Sequence, residues 1–286
     1  MPPRVKRCFV DGPYGQIHCR IAAAQDRHLA PVVCLHMSPK SSRSFNQVLP
    51  FLANRRMALA PDNPGHGESD LPPAEPQVTI EDYARSAWAA IDALCDPPVH
   101  LLGHHTGAMV AAEAAARRKS DVLSIVSFSA PLYTAEEQAA LDEAFQPIPI
   151  DETGTRFQLM WQRVIDHRGP GMTLEMAAES FAENLRAGDQ YEWGHRAAFA
   201  YAPTYRKRLA ELDQPILVIN PADDCFEPSQ RADAIMKNGR RIDVLNWGHG
   251  LFSAYPHRVA TLVLEFLEEH DREQQYADPG RRAQPT

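Results

Sequence analysis

Val99-His-Leu-Leu-Gly103-His104-His105-Thr106-Gly107-Ala-Met-Val-Ala is the stretch that decides how this chain is read. A short apolar strand runs into a five-residue turn, Gly-x-His-x-Gly, and an Ala-rich helix follows. This is the pattern of a nucleophile elbow: small residues let strand and helix approach closely, and the middle side chain is lifted out of a strained turn. The usual occupant of that position is Ser. Here it is His105.

Around the turn, apolar runs alternate with helical patterns. Arg4 to Val10 and Gly15 to Ala23 alternate in the strand manner about a Gly-Pro turn, which predicts an antiparallel pair. Pro31–His36, Met57–Ala60, Val122–Ser129, Pro215–Asn220 and Arg241–Leu245 read as buried strands. Helices are expected at about 42–54, at Thr79–Leu94 with Thr79 and Asp82 spaced as a capping box, after the elbow, at about 228–238, and at 256–270. Strands alternating with helices predict an α/β fold, a mostly parallel sheet with helices on both faces. From about Leu132 to Arg208 no strand pattern is present, only helical patterns with aromatics, read as an inserted helical cap. The expected division is a core of residues 1–131 and 209–270, a cap of 132–208, and a disordered polar tail of 271–286.

The bulk composition narrows the function. The chain has 286 residues, 44% of them apolar, and a net charge of −8. That charge argues against nucleic acid as a partner. No apolar run reaches membrane-spanning length, and Met-Pro-Pro-Arg-Val-Lys-Arg at the start lacks the apolar centre of a signal peptide. Five cysteines without a C-x-x-C pair suit reduced thiols and a cytoplasmic location. The expected partner is a small molecule, apolar or aromatic by the aromatic content of the cap. Nothing in the sequence fixes an oligomeric state.

Three positions follow strand ends, where a parallel sheet forms its ligand crevice. They are His105, Asp224 in Pro221-Ala-Asp223-Asp224, and His249 in Asn246-Trp-Gly-His249-Gly-Leu. With His36-Met37 and Asp62-Asn-Pro-Gly65-His66-Gly67-Glu-Ser69-Asp70, these motifs resemble the α/β-hydrolase superfamily over residues 5 to 270. The elbow is similar to that of a bacterial sub-group reading Gly-x-His-Thr-Gly. The resemblance implies an oxyanion hole from the backbone N–H groups of Met37 and Thr106, Asp224 as the acid and His249 as its histidine. Asp223 is the alternative acid, otherwise a loop carboxylate, and Ser129-Ala-Pro-Leu offers no acid at the other site some members use. His66 reads as structural and Cys225 as a packed thiol. His36, His104, Trp161 and Trp193 are candidate substrate contacts.

The positive end of the helix beginning at Thr106 disfavours imidazolium, so His105 is expected to be neutral with a free lone pair. It would then serve as nucleophile or general base. The leading expectation is a hydrolase of an ester or other activated carbonyl compound. The alternatives are a cofactor-free lyase, C–C bond hydrolase or oxygenase using His–Asp base chemistry, and a non-enzymatic ligand-binding protein. His36, His104, His105 and His249 could in principle form a His₃ metal site, but His36 and His249 already have places in the resemblance. No metal and no cofactor are expected.

Overall fold

The computed structural model describes residues 3–25 and 27–277. Its centre is an eight-stranded sheet in the order β1-β2-β4-β3-β5-β6-β7-β8. The strands are β1 (Lys6–Gly12), β2 (Gly15–Ala23), β3 (Val32–Leu35), β4 (Met57–Pro61), β5 (Val99–His104), β6 (Val122–Phe128), β7 (Ile216–Pro221) and β8 (Gly239–Val244). Strand β2 is antiparallel to β1 and β4, and every pair from β4 to β8 is parallel. The central strands β3, β5 and β7 are buried along their whole length, which is why they read as apolar runs without alternation.

The helices are α1 (Leu49–Leu52), α2 (Ile80–Leu94), α3 (Thr106–Arg117), α4 (Ala135–Ala144), α5 (Thr155–Asp166), α6 (Leu174–Arg186), α7 (Gln190–Glu211), α8 (Phe226–Gln230), α9 (Leu251–Ala254) and α10 (Pro256–Ala277). Helices α2, α3 and α7 cover one face of the sheet, around Ile91, Met109 and Tyr205. On the other face α1 and α10 cover it, around Phe45, Phe128 and Phe266. The Thr79 capping box of α2 forms as its spacing requires: Thr79 Oγ1 accepts from Asp82 N–H, and the Asp82 carboxylate accepts from Thr79 N–H. Four helices, α4 to α7, stand between β6 and β7, with no strand among the described residues there. Helix α7 is tied to the core by the buried Glu113 carboxylate of α3, which accepts from Tyr201 Oη at 2.5 Å and Arg208 Nε at 2.9 Å.

Three expectations are corrected. The helix expected over 42–54 is a 3₁₀ turn at Ser42–Phe45 and the short α1, because Pro50 has no N–H to carry a continuous helix. The helix expected over 228–238 is replaced by α8 and a 3₁₀ turn at Arg231–Ala234. The tail expected to be disordered from 271 begins inside α10. Asp271 is buried, accepting from Arg56 Nη2 at 2.6 Å and bonding His100 Nε2 at 3.2 Å. Residues 278–286 of that expected tail lie outside the described residues.

Candidate active site

The turn between β5 and α3 has the tightness its glycines suggest. A Cβ at Gly103 would sit 2.3 Å from the Gly107 carbonyl oxygen, and one at Gly107 would sit 1.9 Å from the Leu35 carbonyl oxygen. Only residues without a side chain let α3 start against β3 and β5. Between them His105 is held at φ 48° and ψ −111°, in the left-handed half of backbone space that costs a non-glycine residue roughly 1–3 kcal/mol. At the end of the neighbouring strand β6, Ser129 is held at φ 62°.

Both strained residues reach the same carboxylate. His105 Nε2–H donates to Asp223 Oδ2 at 2.9 Å, and Ser129 Oγ donates to the same oxygen at 2.7 Å. Asp223 Oδ1 accepts from Cys225 N–H at 2.9 Å. The other ring nitrogen, His105 Nδ1, lies 3.5 Å from Cys225 Sγ, and the Tyr133 hydroxyl lies 3.2 Å from the same sulfur. The imidazole is therefore bonded at both nitrogens. This corrects two readings: His105 has no free lone pair, and Asp223 is more than a loop carboxylate.

The charge expectation for His105 is corrected as well. Burial works against imidazolium, but the Cys225 sulfur and the Asp223 carboxylate outweigh it and raise the pKa of His105 well above the ordinary imidazole value. Burial pushes the Cys225 thiol up to about 11, so near neutrality Asp223 is the anion that holds the proton on the ring. An ion pair at 2.9 Å outweighs the positive end of α3.

His249 and Asp224 make a separate pair, with Nε2 and Oδ1 at 2.7 Å. Crowding by the protein raises the Asp224 pKa, but the His249 bond and the nearby imidazoles dominate and hold it far below the usual carboxylate range. The His249 ring lies 5.3 Å from that of His105 and 5.9 Å from that of His167 in the segment after α5. Its Nδ1 has no protein partner among the described residues.

The loop after β3 completes the site. Ser38 N–H donates to Thr106 Oγ1 at 3.3 Å, so this loop and the start of α3 lie side by side. Thr106 is the first residue of α3, where a backbone N–H has no partner within the helix. Met37 of this loop lines a cavity of ≈ 120 Å³ together with Lys40, His104, Met172, His249 and Phe252, among others, and Thr106 is not in that lining. His105 is not part of that lining. A larger groove of ≈ 710 Å³ lies between α2, α4 and α7 and holds none of the four paired residues.

His104 lines the cavity with its Nε2 buried and without a protein partner. Burial, then the neighbouring His105 and His249, keep its pKa well below the ordinary value, so its ring is neutral. The other three candidate substrate contacts lie as follows. His36 Nδ1–H donates to Met37 O and Nε2 accepts from Asn63 N–H, both at 2.9 Å, which leaves this buried ring nothing for a ligand. Trp161 packs edge-on against Phe181 of α6, at 5.5 Å between rings. Neither Trp161 nor Trp193 lines the cavity.

Ser129 and Lys40 carry no sequence signal for the roles they take. Lys40 Nζ donates to Ser180 O at 2.8 Å, to Ser180 Oγ at 2.7 Å and to Asn184 Oδ1, binding the loop after β3 to α6. Ser41 Oγ donates to Glu183 of the same helix.

Comparison with known proteins identifies the fold family. Residues 30–254 match the family described by the alpha/beta hydrolase fold. The chain is 28% identical over 248 residues to a proline iminopeptidase of Lactobacillus delbrueckii subsp. lactis, covering 76% of this chain and 82% of the relative. It is 25% identical over 227 residues to a haloalkane dehalogenase of Bradyrhizobium diazoefficiens, covering 76% and 70%. Among solved structures, an esterase from Exiguobacterium antarcticum superposes with a TM-score of 0.74 at 18% identity, over 92% of this chain and all of that one. The match spans most of the chain, and the mostly parallel eight-stranded sheet is in keeping with it: the chain belongs to the α/β-hydrolase fold family.

Proposed function

We propose that this protein hydrolyses an ester or another activated carbonyl compound, with His249 as general base and no acyl-enzyme. The observation that carries the reading is the contrast between two imidazoles. His249 lines the cavity with one nitrogen on Asp224, whereas His105 lies outside the lining with both nitrogens bonded. In this reading Asp224 fixes the His249 ring. Nδ1 then takes a proton from a water molecule as its oxygen attacks the carbonyl carbon. The Met37 and Thr106 N–H groups receive the oxyanion. The leaving group departs with the proton returned from His249. Asp223 and Ser129 hold His105 as part of the wall behind the site. His104 offers a neutral nitrogen to the substrate. Helix α6 and the segment before it, which reach the cavity through Met172, Met176, Ser180 and Glu183, act as a cap over it.

Iminopeptidase, dehalogenase and esterase relatives support hydrolysis as the reaction class. A second reading rests on the same contrast. A site with a base and an oxyanion hole but no free nucleophile suits proton abstraction and C–C cleavage without a cofactor. One panel of 4-nitrophenyl esters, β-diketones and phenolic ketones, run on wild type, His249→Ala and Asp224→Asn, separates the two. Ester turnover lost in both variants supports the proposal. Turnover of the ketones alone supports the second reading, and equal activity in all three proteins refutes both.

A further inference from the structure

The group behind the elbow contains more donor chemistry than positioning a histidine requires. His105, Asp223, Asp224 and Cys225 each place one donor atom within 4.8 Å of the other three. Imidazole, thiolate and carboxylate together are the donors of a borderline-soft divalent metal, zinc above all. We infer that this cluster is a zinc site, with His105 Nδ1, Cys225 Sγ and an Asp224 oxygen as ligands. The site shares Asp224 with the pair proposed above, and metal binding is read without measuring turnover.

Two geometric observations carry it. The first is the spacing of nitrogen and sulfur. Tetrahedral zinc with Zn–S of about 2.3 Å and Zn–N of about 2.0–2.1 Å sets these two atoms about 3.5 Å apart. His105 Nδ1 and Cys225 Sγ are 3.5 Å apart. The second is the support around them. A ligating histidine characteristically donates its other N–H to a carboxylate, which fixes tautomer and ring plane. His105 Nε2–H donates to Asp223, itself held by Ser129 Oγ and Cys225 N–H. The Tyr133 hydroxyl is within reach of the sulfur and would donate to a thiolate.

Asp224 supplies the third ligand and the path. Its Oδ1 bonds His249, which leaves Oδ2 for the metal, and 43% of its side chain faces solvent. Three protein ligands leave a fourth position for water. On binding, the metal replaces the Cys225 thiol proton and any proton on His105 Nδ1, and both are released to solvent.

Titration of the chelator-treated full-length protein with Co²⁺ tests the site, since cobalt bound to a thiolate gives a near-ultraviolet charge-transfer band. The expected result is one equivalent bound with that band, displaced by Zn²⁺. Cys225→Ser should abolish the band and weaken binding at least about 100-fold, and Cys225→Ala decides the point if the serine variant fails to fold. Cys8→Ser should leave both unchanged. Asp223→Asn, which removes the carboxylate behind His105, should weaken binding about 10–100-fold while keeping the band. Absence of the band in wild type, or equal cobalt affinity in wild type and both Cys225 variants, overturns the inference.

Discussion

His105 donates to Asp223 at 2.9 Å, although Asp224 is the next residue and pairs with a different imidazole. Two adjacent carboxylates thus serve two histidines. The Asp223 side chain is fully buried, so the His105 pair is an internal ion pair whose disruption leaves an uncompensated charge. Replacing His105 with Ala should lower stability by about 3–5 kcal/mol. Urea denaturation checks this; a loss under about 1 kcal/mol would mean that Asp223 has no need of the imidazole.

The elbow tolerates no side chain at its second glycine. Gly107→Ala puts a methyl group 1.9 Å from the Leu35 carbonyl oxygen, in backbone that cannot give way cheaply. The expected cost is about 3 kcal/mol or more. A thermal melt within a degree or two of wild type would contradict it.

Asp62 sets an acid limit on stability. Its carboxylate accepts from His18 Nδ1 at 2.8 Å, Ser42 N–H at 2.6 Å and Glu68 N–H at 3.0 Å. Burial alone would raise its pKa, but these bonds and the nearby His36 lower it below the ordinary carboxylate value. The stabilisation is therefore present above the unfolded pKa of about 3.9 and is lost as pH falls through the lower folded value. Asp62→Asn should cost about 2–4 kcal/mol at pH 7, and the gap to wild type should narrow toward pH 3. Urea midpoints measured across that range test the sign; a gap that widens on acidification contradicts it.

Lys40 joins the loop after β3 to α6 through three acceptors. Lys40→Met should free that helix at a cost of about 1–3 kcal/mol. Hydrogen exchange should quicken in residues 174–186 while the central strands keep their protection. Unchanged exchange in α6 would show that the latch carries no weight.

Much of this was legible in the chain. The capping box at Thr79, the buried runs of β3, β5 and β7 and the elbow glycines are local patterns, and local patterns survive into the fold. At the site, the pairing of Asp224 with His249 was legible from the resemblance, and the pairing of His105 with Asp223 was not. Spacing cannot tell Asp223 from Asp224, because one residue of displacement on a turn decides which imidazole each faces. The Ser129 contribution depends on a positive φ that no residue preference announces. Lys40 meets Ser180 across 140 positions of sequence, and Asp271 meets Arg56 across 215. The tail looked disordered because its composition is polar, and composition does not show that one carboxylate in it closes a buried ion pair.

The most direct test of His249 as the working imidazole is the steady-state turnover of His249→Ala beside His105→Gln, on whichever compound of the ester and ketone panel wild type converts fastest. The expected result is a fall of about 10²–10⁴-fold in kcat for His249→Ala, with His105→Gln keeping a much larger share of activity. Full loss in His105→Gln with turnover retained in His249→Ala would contradict the assignment and return the chemistry to the tip of the elbow.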